Sequence, residues 1–328
     1  MKYKDSIWGE FEVPELVFLE LINSLTLQRL KGVDQAGHNP YVKRERVNRF
    51  DHSIGVFLLL NKYGASIEEQ IMGLIHDVSH SCFSHCIDYV LKNGSEKSQS
   101  LQDDVFDNFV KKSEIKDIIE KHGFDIDYIL NKDNFPLGEK DLPDLCADRI
   151  DYFLRDALSY QEISEKDKNY ILENLIVENQ NWIFKNLECA KKYAELFFKM
   201  NIEHWSGLRS AIMFRTVGDF LKHSLEKKYI IEKDLYTTDS FVIQRIKKFM
   251  NQDERLVLLW RRMNNETKFC PYCSDENSQD GSYQAIGCFS ILEKFSVHGV
   301  NDEGNHYYDY LECPLCSHKE EIEVLKCK

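Results

Sequence analysis

Two histidines and two aspartates form the most informative pattern in this sequence. The adjacent pair His76-Asp77 lies between His52, in the string RFDHSIGV, and Asp148, in DLCADRIDYFLRD. Imidazole and carboxylate ligands together suit Mn, Fe, Mg, Co or Zn and do not decide among them. Four such ligands leave coordination positions for water and a phosphate oxygen; the ion would lower the pKa of that water and offset charge on the phosphate. The pattern therefore predicts one catalytic divalent metal ion in a hydrolytic site.

Helix geometry indicates how these side chains reach one ion. A helix turns by roughly 100 degrees per residue, so adjacent His76 and Asp77 can approach an ion from two sides. The other two ligands must come from other helices. Asp148, Tyr152 and Asp156 are spaced i, i+4, i+8 and share one helix face. Two carboxylates and a phenol are unusual in a core and indicate the lining of a polar cleft.

Two cysteine pairs predict a second, structural metal site. The motifs Cys270-Pro-Tyr-Cys273 and Cys313-Pro-Leu-Cys316 are typical of a zinc ribbon with a tetrahedral thiolate site. Four thiolates close the coordination shell, so this zinc would stabilise a module too small to rely on its own core. Zinc ribbons often bind nucleic acid or protein, and we expect such a contact as an alternative role for this module.

The elements that position these residues are mostly helical by pattern. Apolar residues recur at helical spacing along most of the chain, and Ser24 is placed to cap the second half of the first stretch. The polar stretch from Asn93 to Asp104 is predicted as a loop. The predicted helical stretches are Glu15–Val33 with a break at Asn23-Ser24, Ser53–Lys62, Ser66–Val78, Ser84–Leu91, Asp141–Tyr160, Cys189–Lys228 and Phe241–Arg262.

The periodicity changes near Asn264-Asn265. Beyond this point, alternating segments such as QAIGCFSILEKF and HYYDYLEC, separated by turn residues, predict short strands. We therefore expect a mainly α protein, with a helical core and accessory helices over 1–264 and a small β-rich zinc ribbon over 265–328. The late helices, within AELFFKMNIEHWSGLRSAIMFRTVGDFLKHSL, are rich in large apolar residues and predict a homo-oligomer, a dimer or larger.

The charge balance restricts the partners. The chain of 328 residues has a net charge of −13, so its overall field repels nucleic acid and any polyanion site needs a local basic patch. The densest basic stretch is VKRERVNR, directly before His52. No apolar run approaches the ~18 residues of a membrane span, and the first residues lack the apolar stretch of a signal peptide. We expect a cytoplasmic protein with no membrane contact.

Five segments in order resemble the HD-domain phosphohydrolase superfamily. They are DSIWGEFEV, LINSLTLQRLKGVDQAG, NRFDHSIGV, GLIHDVSHSCFSHCID and ADRIDYFLRD, and they look most similar to the deoxynucleoside triphosphate triphosphohydrolase-like branch. The resemblance covers roughly residues 5 to 160. It implies a metal-dependent phosphohydrolase core over 1–264, with a nucleotide as substrate.

The resemblance also implies a role for each matching residue. His52, His76, Asp77 and Asp148 match the metal ligands. The phosphate-side and sugar-side matches are His80, His85 and Asp88 near the ion, Arg49 on phosphate, Gln35 on the sugar, and Arg149, Tyr152 and Asp156 in the closing motif. As cations, the imidazoles of His80 and His85 would help to stabilise charge that develops in phosphoryl transfer. By local pattern alone, Asp151, Arg155 and Arg149 fit ordinary surface ion pairs.

One departure from the branch leaves alternatives open. The branch has a His-Glu pair before the final aspartate, and its histidine is proposed as the general acid; here the stretch KSQSLQDDVFDNFVKKSEI has no histidine. Loss of a general acid costs a factor of ~10² to 10⁴. Asp103, Asp104 and Asp107 are nearby carboxylates, and His122 is the histidine that follows. A phosphodiesterase or nuclease, and a catalytically weak nucleotide-binding regulator, therefore stand beside nucleotide hydrolysis.

Overall fold

The computed structural model describes residues 2–13, 15–38, 40, 46–94, 99–140, 144–206, 208–269 and 283–284. This part of the chain is mainly helical, as predicted. The helices are α1 Leu16–Asn23, α2 Leu25–Arg29, α3 Arg49–Lys62, α4 Ile67–Ile75, α5 Leu101–Lys111, α6 Glu114–Lys121, α7 Ile126–Leu130, α8 Ala147–Ser159, α9 Glu165–Asn174, α10 Leu187–Met200, α11 Leu208–Glu226, α12 Asp239–Lys247 and α13 Glu254–Met263.

Three short strand pairs accompany the helices. Strands β1 Lys2–Asp5 and β2 Gly9–Glu12 form an antiparallel hairpin, as do β3 Leu175–Glu178 and β4 Asn181–Phe184. Strands β5 Lys268–Phe269 and β6 Tyr283–Gln284 pair in parallel. The four cysteines of the predicted zinc ribbon lie outside the described residues, so the ribbon and the boundary at 264/265 stay predictions. None of the helices in the described ranges is long and apolar enough to cross a membrane.

Helix α3 is the central element. It begins after Asn48, whose side chain accepts a hydrogen bond from the Asp51 N–H, and it packs against α4 and α8. Gly55 makes the approach of α8 to α3 possible, because a Cβ at this position would overlap the carboxylate of Asp151 and the guanidinium of Arg155. Helices α3 and α8 therefore meet closely at the point where their polar residues face each other.

The accessory helices close over the segment that follows His76-Asp77. Residues Ser84–Tyr89 form a 3₁₀ helix packed against α11, and the Tyr89 ring stacks on Phe214 with centroids 5.8 Å apart. Buried residues of this segment, including Phe83 and Cys86, belong to one apolar cluster with residues of α11, α12 and α13. The late part of the chain is thus packed directly on the loop that carries the predicted phosphate-side histidines.

Several predicted boundaries are corrected by tertiary structure. The break at Asn23-Ser24 is confirmed, and Ser24 caps α2 by accepting from the Leu27 N–H. Helix α4, however, ends at Ile75, so the His76-Asp77 pair lies in the turn after it. Other differences are that α5 begins inside the predicted loop, that α8 begins later than predicted, and that α12 and α13 are separate helices. The stretch Cys189–Lys228, predicted as one or two long helices, forms two, which a π-helical turn at Asn201–Trp205 separates.

Candidate active site

Three of the four predicted metal ligands converge on one point. The distance from His52 Nε2 to Asp148 Oδ1 is 2.8 Å, and His76 Nε2 lies 3.2 Å from His52 Nε2 and 3.4 Å from that carboxylate oxygen. Asp77 lies slightly further away, with its carboxylate oxygens 3.6 Å from His76 Nε2 and 3.9 Å from His52 Nε2. Two imidazole nitrogens and two carboxylates gathered this closely from α3, α8 and the turn after α4 fit a divalent metal ion.

Hydrogen bonds behind the ligands aim their nitrogen atoms at this point. His76 Nδ1 donates to the Gly73 carbonyl oxygen at 2.8 Å, which leaves Nε2 as the free ligand atom. His52 Nδ1 bonds Asp151 Oδ2 at 2.8 Å in the same way. Such partners fix the ring orientation and the tautomer of a metal-binding histidine. The donor set is therefore oriented by the protein itself.

Asp151 is the centre of a buried network that local sequence reasoning missed. Its carboxylate, 0% exposed, accepts from His52, from Trp8 Nε1 at 2.7 Å and from Arg155 Nε and Nη2, each at 2.9 Å. Arg155 also donates to Asp5 Oδ2 at 3.0 Å. The surface-pair interpretation of Asp151 and Arg155 is wrong, because both are buried. The available signal was an Asp and an Arg at i, i+4 flanked by apolar residues on the ligand helix.

The phosphate side is built around Arg49. Its Nη1 donates to Asp77 Oδ2 at 2.8 Å, its Nε to Ser84 Oγ at 2.7 Å, and its Nη2 to the Gln35 carbonyl oxygen at 3.1 Å. Burial alone would raise the pKa of Asp77, but the charges of Arg49, His76 and His80 hold it well below the usual range. Asp77 is therefore an anion at neutral pH, as a metal ligand must be.

The histidines in this region differ in charge. Burial, reinforced by the charge of Arg49, lowers the pKa of His80 to about 4, and burial also holds the pKa of His85 well below its ordinary value. For His52, burial alone would lower the pKa, but the carboxylates of Asp148 and Asp151 raise it to about 10. His80 and His85 are thus neutral imidazoles at pH 7, which corrects the prediction that they act as cations.

A cavity of about 440 Å³ opens in front of the ligands. Most of the predicted site residues share it. The predicted residues that line it are Gln35, Arg49, His52, His76, Asp77, His80, His85, Asp148, Tyr152 and Asp156. Asp88 and Arg149 are not among the lining residues: Asp88 accepts from the Leu101 N–H at 3.3 Å, and Arg149 donates to the carbonyl oxygens of Asp144 and Lys140.

A further part of the lining comes from the π-helical turn and α11, within the apolar-rich late stretch from which the sequence analysis predicts only a homo-oligomer. Trp205 Nε1 donates to Asp156 Oδ2 at 2.8 Å, and its ring meets Tyr152 edge-on with centroids 5.1 Å apart. The further lining residues on this wall are Asn201, His204, Ser206, Arg209, Ser210, Met213 and Phe214. π-Helical turns frequently mark functional sites, but the sequence contains no local signal for this one.

The stretch that lacks the His-Glu pair contributes polar residues to the cavity. Gln99, Gln102 and Asp103 line it, whereas Asp104 and Asp107 do not. Asp103 is half-exposed and pairs with Lys132 at 3.1 Å. His122 lies elsewhere, 3.4 Å from Glu20. Of the four candidates to replace the general acid, Asp103 is therefore the one that reaches the site.

Comparison with known proteins agrees with this geometry. The HD domain family pattern matches residues 49–156. The chain is 36% identical to the uncharacterized protein YdhJ of Bacillus subtilis, over 77% of each chain. It is 30% identical to the metal-dependent phosphohydrolase cns2 of Cordyceps militaris, over 77% of this chain and 74% of that one. A deoxynucleoside triphosphate triphosphohydrolase SAMHD1 homolog of Dictyostelium discoideum is 25% identical, over 77% of this chain and 53% of its own length.

The matched segment contains all four predicted metal ligands, from His52 on α3 to Asp148 on α8, and all four line one cavity. His52, His76 and Asp148 present ligand atoms within 4.8 Å of one another. An ion held there would act as a Lewis acid and generate a hydroxide nucleophile. The chain belongs to the HD-domain family of metal-dependent phosphohydrolases.

Proposed function

We propose that this phosphohydrolase acts on a nucleotide, and that the first candidate substrate is a deoxynucleoside triphosphate from which it releases triphosphate. The observation that carries the proposal is the composition of one cavity. The predicted metal ligands and Arg49 line the same cavity as Gln35, Tyr152, Asp156 and Trp205. A cavity of about 440 Å³ is within the usual range for small-molecule sites, roughly 300–1,000 Å³.

The sugar end of this proposal rests on Gln35. Its side-chain Oε1 is buried and has no hydrogen-bond partner within the described part of the chain, although the residue lines the cavity. A buried acceptor of this kind is costly unless something donates to it. A hydroxyl of the sugar is such a donor. Asp156, which accepts from Trp205 Nε1 at 2.8 Å, is a second acceptor that lines the same cavity.

The aromatic wall supports a flat heterocycle in the substrate. Tyr152, Trp205 and Phe214 all line the cavity. Aromatic side chains stack favourably on any nucleobase, because every base has a π-face. The triphosphate assignment is supported by the named activity of the SAMHD1 homolog and by the branch resemblance. Identification of the released product distinguishes hydrolysis that yields triphosphate from hydrolysis that yields a single phosphate.

The protein's own groups have separable roles in such a reaction. The ligand residues would hold the ion, and Arg49, fixed on Asp77 and Ser84, would keep positive charge beside the phosphate. His85 donates from Nδ1 to the Gln99 carbonyl oxygen at 3.2 Å, so the neutral ring has an unprotonated Nε2. That nitrogen is the ring atom able to accept a proton. Burial disfavours the protonated ring and holds the pKa of His85 well below its ordinary value.

The test is a substrate panel on the purified full chain, loaded in turn with Mn²⁺, Fe²⁺, Co²⁺ and Mg²⁺. Deoxynucleoside and ribonucleoside mono- and triphosphates and labelled DNA and RNA are incubated, and phosphate products are identified by phosphorus NMR. Triphosphate plus nucleoside supports the proposal, and orthophosphate from monophosphates would assign a nucleotidase instead. Shortened strands would indicate a nuclease, and saturable nucleotide binding without turnover a regulator. Asp77→Ala must abolish any activity that belongs to this site.

A further inference from the structure

A buried carboxylate of an accessory helix bonds to two loops of the active site. Asp239 is the first residue of α12, well outside the matched segment 49–156, and it is 6% exposed. Its Oδ1 accepts from the Phe83 N–H at 2.9 Å, and its Oδ2 accepts from the Asp34 N–H at 2.9 Å. Arg46 donates to the same Oδ2 at 2.9 Å. One side chain therefore satisfies backbone donors in two segments of the chain that are remote in sequence.

Both segments carry substrate-side residues. Asp34 directly precedes Gln35, and Phe83 lies between His80 and His85. The two segments are also joined to each other, because Ser84 Oγ donates to the Asp34 carbonyl oxygen at 2.6 Å. The same hydroxyl accepts from Arg49 Nε at 2.7 Å. A shift of Asp239 would thus move the residues next to Gln35, the histidine loop and the support of Arg49 together.

The backbone at this junction is strained. Phe83 and Ser84 have φ values of 59° and 47°, a left-handed conformation that is unfavourable for residues with a Cβ atom. Two consecutive residues of this kind persist only where the surroundings impose them. The hydrogen bond from the Phe83 N–H to Asp239 is one such constraint. A second comes from the Cys82 N–H, which donates to the Leu235 carbonyl oxygen at 2.7 Å, again in the accessory region.

We propose that Asp239 is a positioning residue for the phosphohydrolase reaction: its carboxylate holds the strained Phe83-Ser84 turn and the Asp34-Gln35 backbone at a fixed separation. The accessory helices are thereby part of the catalytic apparatus. The effect on Gln35 rests on the nucleotide function proposed above, whereas the effect on the histidine loop requires only phosphohydrolase activity.

The main test compares Asp239→Asn with wild type and with Asp253→Asn in the metal-loaded full chain. Asn keeps one acceptor oxygen but places an amide N–H₂ opposite one of the two backbone donors. Asp253 is a matched control because it is a similarly buried aspartate at the start of the next helix, α13. It is bonded to His223 and Tyr229 at 2.8 and 2.9 Å, and it does not line the cavity. We expect Asp239→Asn to lower kcat/KM by roughly 10- to 100-fold, the usual cost of displacing catalytic groups, through changes in both kcat and KM.

Two readouts separate positioning from general destabilisation. Metal affinity should change by less than about threefold in Asp239→Asn, because the ligands are oriented by Asp151 and Gly73 instead. Asp253→Asn should keep wild-type kcat and KM even if its melting temperature falls equally. The proposal is overturned if kcat/KM of Asp239→Asn is unchanged, or if both variants lose activity in proportion to their loss of stability with KM unaltered.

Amide hydrogen exchange on the unmodified protein provides an independent measurement, in case Asp239→Asn does not fold or no substrate is found. The Phe83 and Asp34 amides should exchange as slowly as the helical amides of α12. Exchange at solvent-like rates at either amide would overturn the proposal without any reference to the substrate. Failure of the substrate panel with protected amides would count only against the proposed nucleotide function.

Discussion

His52 Nδ1 and Asp151 Oδ2 are joined by a buried hydrogen bond of 2.8 Å. This bond connects a metal ligand on α3 to an aspartate that also bonds Trp8 and Arg155. The orientation of the ligand is therefore determined by residues that would not touch the ion.

Replacing Asp151 with Asn tests this connection. The change leaves the buried Arg155 with Asp5 as its remaining carboxylate partner, so we expect a loss of at most about 3–5 kcal/mol in the free energy of unfolding, the cost of fully breaking a buried ion pair. Metal affinity should fall by about 10- to 100-fold, as is typical when the outer partner of a metal-binding histidine is removed. Calorimetric metal titration and thermal unfolding measure the two effects. Asp127→Asn, which alters an exposed pair with Lys111, is the control and should change neither quantity measurably.

A milder change in the same network is Trp8→Phe. The ring is largely retained, but Asp151 loses the indole N–H donor at 2.7 Å. Hydrogen bonds to charged groups contribute about 1.5–3 kcal/mol, so we expect a loss of stability in this range. Metal binding should weaken less than in Asp151→Asn. Unchanged metal affinity in Trp8→Phe would limit the role of the tryptophan to stability.

The His-Glu pair of the similar branch is absent here, so we compare the effects on kcat of replacing Asp103 and His85. Asp103 is half-exposed and paired with Lys132, and exposed ion pairs contribute roughly 0–1 kcal/mol, so Asp103→Asn should lower kcat by less than about fivefold. His85→Ala should lower kcat by ~10² to 10⁴, the usual contribution of general acid–base catalysis. Steady-state kinetics on the substrate identified by the panel give both values. A loss in Asp103→Asn as large as that in His85→Ala would instead assign Asp103 a catalytic role of its own.

The substrate end is tested by Trp205→Phe. This change keeps an aromatic ring but removes the N–H that holds Asp156 Oδ2 at 2.8 Å. If Asp156 and the aromatic wall bind the nucleoside part of the substrate, KM should rise roughly tenfold, with a smaller effect on kcat. Equal values of KM in the variant and the wild type would exclude this wall from substrate binding.

The ionisation of Asp239 predicts a pH-dependent stability difference. Burial raises its pKa to about 7, against the opposing effect of the Phe83 and Asp34 amides. The negative charge of the Asp34 carboxylate raises the pKa further, and the charge of Arg46 lowers it. Arg29 and Cys82 are further titratable groups coupled to Asp239. Because the pKa is raised on folding, protonated Asp239 stabilises the folded protein. This contribution to the free energy of unfolding is complete below the unfolded-state pKa of about 3.9 and is lost as pH rises through about 7.

The comparison variant is Asp239→Asn, which cannot ionise. Unfolding free energies of wild type and variant are measured by denaturant titration from pH 4 to pH 8. We expect wild type to lose stability relative to the variant as pH increases, by at most about 1.4 kcal/mol per pH unit. A difference that stays constant over this range, or that moves in the opposite direction, would contradict the raised pKa.

The cluster of predicted metal ligands was predictable because these residues lie in short, ordered motifs. His52, His76, Asp77 and Asp148 were all identified from the sequence, and the structure brings them together. The cap at Ser24 was predictable for a similar reason, since a cap is a local interaction. The exact end of α4 was not, because the pattern of apolar residues continues past Ile75 while the backbone turns at the ion site.

The supporting residues were not predictable because their partners are remote. Asp151 bonds His52 across 99 positions, and Asp239 bonds Phe83 across 156. For Asp151 the available signal was its i, i+4 spacing from Arg155 among apolar residues, and this spacing does not identify His52 as a partner. No local pattern distinguishes Asp239 from a surface residue. The same holds for Trp205, whose role depends on where α10 and α11 join after folding. Local patterns thus reveal the atoms that would touch an ion, whereas the atoms that hold them in place emerge from packing.

The β1–β2 hairpin has a practical consequence for any attempt to isolate the catalytic part of this chain. Its turn provides Trp8 to Asp151, and Asp5 to Arg155, although it precedes the matched segment 49–156 by many residues. A fragment trimmed to that segment would keep every predicted metal ligand. It would lack Trp8 and Asp5, whose hydrogen bonds support the alignment of those ligands. Recombinant versions should therefore retain residues 2–12, which form this hairpin.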